Sequence, residues 1–200
     1  MMTTKTIELF WDCGSPYTYL ASTQIEQLAQ ECGADLRWRP FLLGGAFQAT
    51  GNRMPAAIPA KGKYLFDDVK LWAKFYGVAF RFPDQFPINT LAAQRAGVAA
   101  DRMGKGAAFA KRVMRAHFGE GRDVSQPDEL KACAVDVGLD AEALLAQTQE
   151  QAVKDELKSN TEEAVRRGAF GAPTFFVGEQ MFWGNDRLDL MRAWLKGKLS

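Results

Sequence analysis

Residues 8–21 read ELFWDCGSPYTYLA. An apolar, strand-prone run ends in a small-residue turn, Cys13-Gly14-Ser15, and Pro16 opens a stretch with helical spacing. Serine is a favoured N-cap because its oxygen accepts from a free helix N–H, and proline is a favoured first helical residue because it has no N–H to leave unsatisfied. The segment predicts a strand at 6–11 that passes directly into a helix. Two readings of that start stand side by side. One is plain capping. In the other, the helix end presents free N–H groups and partial positive charge to a crevice at the strand's carboxyl edge, where an anion or thiolate is stabilised.

Outward from this turn, YTYLASTQIEQLAQECG continues as helix to a C-cap at Gly33, and DLRWRPFLL (35–43) alternates as a second strand. Residues 44–59, GGAFQATGNRMPAAIP, predict a loop long enough to serve binding. From about 61 to 168 nearly every segment carries an apolar stripe and closes near glycine, which predicts helices. Strand signals return in PTFFVG and QMFWG, joined at Gly178-Glu179 as a hairpin, before a last helix over DRLDLMRAWLKGKL. So few strands at either end make no stable domain alone, so one sheet assembled from both termini is expected. Ala172-Pro173, just before the third strand, is a candidate cis bond.

The composition narrows the functional classes. Twenty-five Lys and Arg balance 24 Asp and Glu, and 47% of the 200 residues are hydrophobic. No basic face points to nucleic acid and no polybasic run to an anionic membrane. The N-terminus lacks a signal-peptide pattern and no apolar run approaches the ~20 residues that span a bilayer, so a soluble cytoplasmic protein is expected. Cys13, Cys32 and Cys133 are widely spaced and accompanied by one histidine, His117. That supplies neither a zinc site nor a dithiol centre, and the cysteines read as small hydrophobes and His117 as a helix-end residue. CGSPY superficially matches a papain-like C-G-S-C-W, but Pro16 stands at the nucleophile's position.

SPYTYLA, ATGN with PAKGKYL and DDVKLWA, FGAPTFFV and MFWGNDRL together make the chain resemble 2-hydroxychromene-2-carboxylate isomerases and kappa-class glutathione transferases. These form a thioredoxin-fold branch related to periplasmic disulfide oxidoreductases, and the resemblance covers essentially the whole chain. It implies an α/β thioredoxin-like fold with a large all-helical insertion: a discontinuous thioredoxin-like domain at 1–60 and 168–200, and a helical subdomain at 61–167. Ser15 falls where thioredoxins carry the attacking cysteine and Thr18 where they carry the resolving one, so the thiol is expected from glutathione.

The same resemblance implies that Ser15 bonds the glutathione sulfur and that Ala172, before Pro173, pairs its backbone with the cysteinyl peptide. Trp183, Gly184, Asn185 and Asp186 receive the γ-glutamyl end, unless Asn185-Asp186 is only a helix cap. Asn52 and Lys61 match positions that reach glutathione or substrate, with Lys61 alternatively a solvated charge. Tyr17, Phe86 and Trp72 are core or pocket aromatics, Tyr17 and Phe86 the better pocket walls. The segment FLLGGAFQATGNRMPAAIPA departs from the isomerases, so glutathione binding carries over better than substrate identity. The implied activity is isomerisation of a hydroxychromene carboxylate or related aromatic enone by reversible thiolate addition, in a cytoplasmic homodimer. Alternatives are a kappa-like transferase or peroxidase, a glutathione-conjugate binding protein, and a thiol oxidoreductase using Cys13.

Overall fold

The computed structural model describes residues 5–199. The chain opens with β1 (Thr6–Trp11), α1 (Pro16–Ser22), α2 (Ile25–Cys32) and β2 (Asp35–Pro40). The single helix expected between the strands is two: the Thr23 hydroxyl bonds the Leu20 carbonyl at 2.7 Å and closes α1 after two turns. The second strand ends at Pro40 rather than Leu43. The amides of Leu42 and Leu43 are taken by Thr161 Oγ1 (3.0 Å) and Asp12 Oδ2 (2.9 Å) instead of a ladder.

The stretch expected as a loop, 44–59, is largely helical: α3 (Leu43–Thr50), a 3-10 turn (Pro55–Ala57) and the start of α4 (Pro59–Tyr76). Two of its small residues serve close packing. A Cβ on Gly45 would lie 3.1 Å from Thr161 Cγ2, and Ala46 is fully buried. Then follow α5 (Leu91–Arg102), α6 (Gly106–Met114) with a π-helical turn (Arg115–Gly119), α7 (Pro127–Asp136), α8 (Ala141–Gln147) and α9 (Gln151–Arg166). The hairpin of β3 (Thr174–Val177) and β4 (Gln180–Trp183) leads through a 3-10 turn (Asn185–Arg187) to α10 (Leu188–Leu195).

The sheet order is β2-β1-β3-β4, with β1 parallel to β2 and antiparallel to β3, and β3 antiparallel to β4. Both ends of the chain thus supply one mixed sheet. Strand alternation splits its two faces. Ile7, Leu9, Trp11, Phe175, Val177 and Phe182 enter the main core with α2, α5, α6 and α10. Phe10 and Phe176 turn the other way and meet Phe41, Ala46 and Ala164, the last from α9. Phe10 stands edge-on to Phe41 and Phe176, geometry worth about 0.5–1.5 kcal/mol per pair beyond burial. Above them Glu8 binds Arg39 and Arg167 (both 2.8 Å), and Arg167 lies 3.9 Å over the Phe176 ring.

Helical insertion and sheet share this core. A Cβ on Gly97 of α5 would sit 2.8 Å from Trp11 Cζ2, so glycine lets α5 cross tightly over the carboxyl end of β1. On the other flank Leu20 of α1 packs with Leu65, Val69 and Ala73 of α4. The segment between α4 and α5 gathers Phe80, Phe82 and Phe86 around Phe118.

Candidate functional site

Ser15 caps α1: its Oγ accepts from the Thr18 amide at 3.2 Å. The same hydroxyl donates to the Ala172 carbonyl at 2.9 Å. Ala172-Pro173 is cis, as expected, and Phe86-Pro87 is cis as well. Behind this loop the Gly184 amide donates to the Pro173 carbonyl at 3.0 Å, which ties it to the turn leading into α10.

In front of Ser15 lies a cavity of about 1020 Å3. Of the residues expected at a site, Ser15, Tyr17, Asn52, Lys61, Phe86, Ala172 and Trp183 line it. Pro173, Gly184, Asn185 and Asp186 do not. Trp72 also stays outside, packed on Phe75 and Tyr76. Asn52 spans the cavity rim, its Nδ2 donating to the Phe170 carbonyl at 2.8 Å. The Tyr17 hydroxyl donates to Asp68 at 2.7 Å, tying α1 to α4; burial and that carboxylate push its pKa up, so it stays protonated at neutral pH. Trp183 packs on Phe170, and a Cβ on Gly171 would lie 2.5 Å from its Nε1.

The turn 183–186 differs from a helix cap. Neither Asn185 nor Asp186 makes a side-chain capping bond, and the α-helix proper begins two residues later. Asp186 pairs with Arg187 at 2.5 Å. Asn185 is buried and its Nδ2 has no hydrogen-bond acceptor among the described residues.

Further cavity residues, Asp12, Arg53 and Thr90 among them, carry charge or polarity that sequence reasoning did not single out. Asp12 is 1% exposed; burial pushes its carboxyl pKa up, opposed by donors from Leu43, Gly14 and Thr90. Thr90 itself stands on the wall. Arg53, next to Asn52, joins Lys61 as a second cation there, and neither side chain makes an ion pair among the described residues. Beneath the cavity floor, fully buried Gln94 accepts from the Cys13 amide and donates to the carbonyls of Trp11 (2.7 Å) and Phe41 (3.1 Å), joining the carboxyl ends of β1 and β2. Asp12 left one local sign, an acid closing an apolar strand. Gln94 left none, because its partners lie far away in sequence.

The cysteines stand apart from this chemistry. Cys13 and Cys133 are buried, Cys32 is partly buried against the core, and all three are free thiols. Burial, with Asp12 nearby, pushes the Cys13 thiol pKa well above its ordinary range, and burial pushes Cys133 up to about 11. His117, expected at a helix end, lies in the middle of the π-helical turn after α6, fully buried, with Nδ1 2.9 Å from the Arg122 carbonyl. Among the described residues no helix is long and apolar enough to cross a membrane, and no group of three or more His, Cys, Asp or Glu could hold a metal ion.

The DsbA-like thioredoxin domain matches residues 6–196. The chain is 36% identical to 2-hydroxychromene-2-carboxylate isomerase of Sphingobium xenophagum, over 96% of this chain and 98% of that one. It is 29% identical to human glutathione S-transferase kappa 1, over 94% and 89%. A solved 2-hydroxychromene-2-carboxylate isomerase superimposes with a TM-score of 0.87 at 29% identity, covering 97% of this chain and 95% of the other. The chain therefore belongs to the DsbA-like thioredoxin family, in the group of 2-hydroxychromene-2-carboxylate isomerases and kappa-class glutathione transferases.

Proposed function

We propose that the protein is a glutathione-dependent isomerase acting on 2-hydroxychromene-2-carboxylate or a related conjugated aromatic enone. The observation that carries this reading is the serine hydroxyl held between the start of α1 and the cis-proline loop, facing a large cavity. The family resemblance matches this serine to the reactive cysteine of thioredoxins. Glutathione, when bound, supplies the thiolate whose reversible addition makes a conjugated double bond transiently single and free to rotate.

Two features of the chain suit that thiol peptide. The Ser15 hydroxyl can turn from the Ala172 carbonyl to donate to a sulfur anion. Asn185 Nδ2 offers a buried donor without an acceptor at the turn expected to take the γ-glutamyl carboxylate. Holding a thiol ionised at pH 7 means lowering its pKa by ~2 units, roughly 2.7 kcal/mol. A hydrogen bond to charged sulfur contributes roughly 1.5–3 kcal/mol. Since α1 has only seven residues, the hydroxyl is the principal donor in this scheme.

The remaining volume is lined by Phe47, Met54, Ile58, Leu65 and Phe86, with Arg53 and Lys61 as cations, a setting for an aromatic acid. Arg53 and Lys61 bind carboxylates, and the apolar wall excludes water from the adduct's ring. A second reading, a kappa-like transferase, is favoured by the likeness to the human enzyme. Product analysis separates them. Isomerisation leaves the glutathione concentration unchanged while the substrate's absorbance shifts. Conjugation consumes glutathione in proportion to substrate. Binding of glutathione conjugates without turnover of any enone would favour a carrier.

A further inference from the structure

Asp12 closes β1 and faces the cavity, yet its carboxylate pairs with no lysine or arginine among the described residues. Three donors from three chain segments converge on it instead. The Gly14 amide reaches Oδ1 at 2.9 Å; the Leu43 amide and the Thr90 hydroxyl reach Oδ2 at 2.9 and 3.1 Å. Its main-chain carbonyl accepts from the Ser15 amide at 3.1 Å. One residue thus holds both amides of the Gly14-Ser15 turn, the first residue of α3, and Thr90, which precedes α5.

The packing around this contact is specific. A Cβ on Gly14 would meet Thr90 Cγ2 at 2.9 Å and Asp12 Oδ1 at 3.3 Å, so glycine admits Thr90 to within bonding reach of the acid. Leu42 and Leu43, at the start of α3, and Pro87, Ile88 and Leu91, around Thr90, are themselves cavity wall. Displacing either wall from Ser15 displaces what the cavity holds from the hydroxyl.

We infer that Asp12 is a positioning residue for the Ser15 site: its carboxylate sets the hydroxyl's turn against the two walls, α3 and the 87–91 segment, between which the second substrate lies. The inference rests on the proposed function for what occupies the cavity. The brace itself stands on the bonds just described. Asparagine has nearly the same shape but one acceptor oxygen, so in Asp12→Asn at least one of Gly14, Leu43 and Thr90 faces an NH2 group instead of an acceptor. A reacting pair misplaced by about 1 Å can lose on the order of 100-fold in rate.

The test has two arms. In ligand-free protein, hydrogen exchange followed by NMR should show the Gly14 or Leu43 amide exchanging tenfold or more faster in Asp12→Asn. In steady-state kinetics with glutathione and an enone, Asp12→Asn should lower kcat about tenfold or more and leave the glutathione KM within about threefold, because the peptide-binding turns at 172 and 183–186 are untouched. Thr90→Val, which removes one donor, should lower kcat several-fold, and added to Asp12→Asn should cost little more. It also serves if Asp12→Asn does not fold. Unchanged exchange together with kcat within twofold of wild type, in either variant, overturns the inference. If wild-type protein turns over no enone with glutathione, the proposed function fails, and the exchange arm alone decides whether the brace exists.

Discussion

The Ser15 hydroxyl donates to the Ala172 carbonyl at 2.9 Å across 157 residues of sequence. This bond joins the turn after β1 to the loop before β3, the neighbouring strand in the sheet. It also means that the Ser15 hydroxyl proton already has a partner, which a sulfur anion would have to displace.

Replacing Ser15 with Ala should cost about 1 kcal/mol of stability through the lost cap on Thr18 and leave the fold intact. Catalysis should suffer more. Losing a hydrogen bond of roughly 1.5–3 kcal/mol to charged sulfur raises the bound thiol's pKa by about one to two units. Turnover at pH 7 should fall about tenfold or more and recover partly as pH rises through the new pKa. Thiolate absorbance of the glutathione complex across pH, measured beside enone turnover, checks this. An unchanged titration and rate would reduce Ser15 to a helix cap.

The protein's own thiols should be dispensable. Cys13 and Cys133 are buried with raised pKa values, and a thiol that stays protonated is a poor nucleophile. Iodoacetamide at neutral pH should label Cys32 before either. A folded variant with all three cysteines changed to Ala or Ser should keep glutathione-dependent activity. Activity lost with any one of them would reinstate a protein-thiol mechanism.

Asn185→Ala removes a buried amide that has no acceptor in the described structure. If that amide meets the γ-glutamyl carboxylate, a charge-assisted bond of roughly 1.5–3 kcal/mol is lost and glutathione KM should rise about tenfold or more. The enone KM should barely move. Equal glutathione affinity by calorimetry in wild type and variant would assign Asn185 to packing alone.

His117 supplies a pH signature. Burial lowers its pKa below the ordinary 6.5, so the folded state resists a proton that the unfolded chain accepts. Stability contributed in this way is fully present above about pH 6.5 and declines as pH falls toward the depressed folded value. Urea unfolding of wild type and His117→Gln should show their stability difference narrowing from pH 7.5 to pH 5. A difference that stays constant would mean that His117 titrates alike in both states.

The thioredoxin-like sheet was legible because its signals are local: apolar strands at both ends, a Ser-Pro helix start, a Gly-Glu hairpin. Boundaries failed where a side chain from elsewhere claims a backbone group. Thr161 and Asp12 take the amides of Leu42 and Leu43, so the chain turns into α3 where composition suggested strand and then loop. The glycines and alanines of 44–59 announced irregularity, but much of the stretch is helix, and Gly45 lets α3 pack closely on α9.

By itself the sequence determined one sheet built from both termini, the Ser-Pro helix start and the proline that follows Ala172, because residue type and immediate neighbours suffice for each. That Ser15 stands in place of a reactive cysteine is what the family resemblance implies. Only the tertiary structure decided which of those residues share a cavity. Ser15 meets Ala172, and Asn52 reaches Phe170 across its rim, whereas Asn185 lies off the lining. It also decided that Asp12 and Gln94 brace the floor. Apart from the Gly14 bond, these bonds connect groups 31 or more residues apart, and no local pattern encodes them: their geometry exists only once α3 and α5 have packed against the carboxyl ends of β1 and β2.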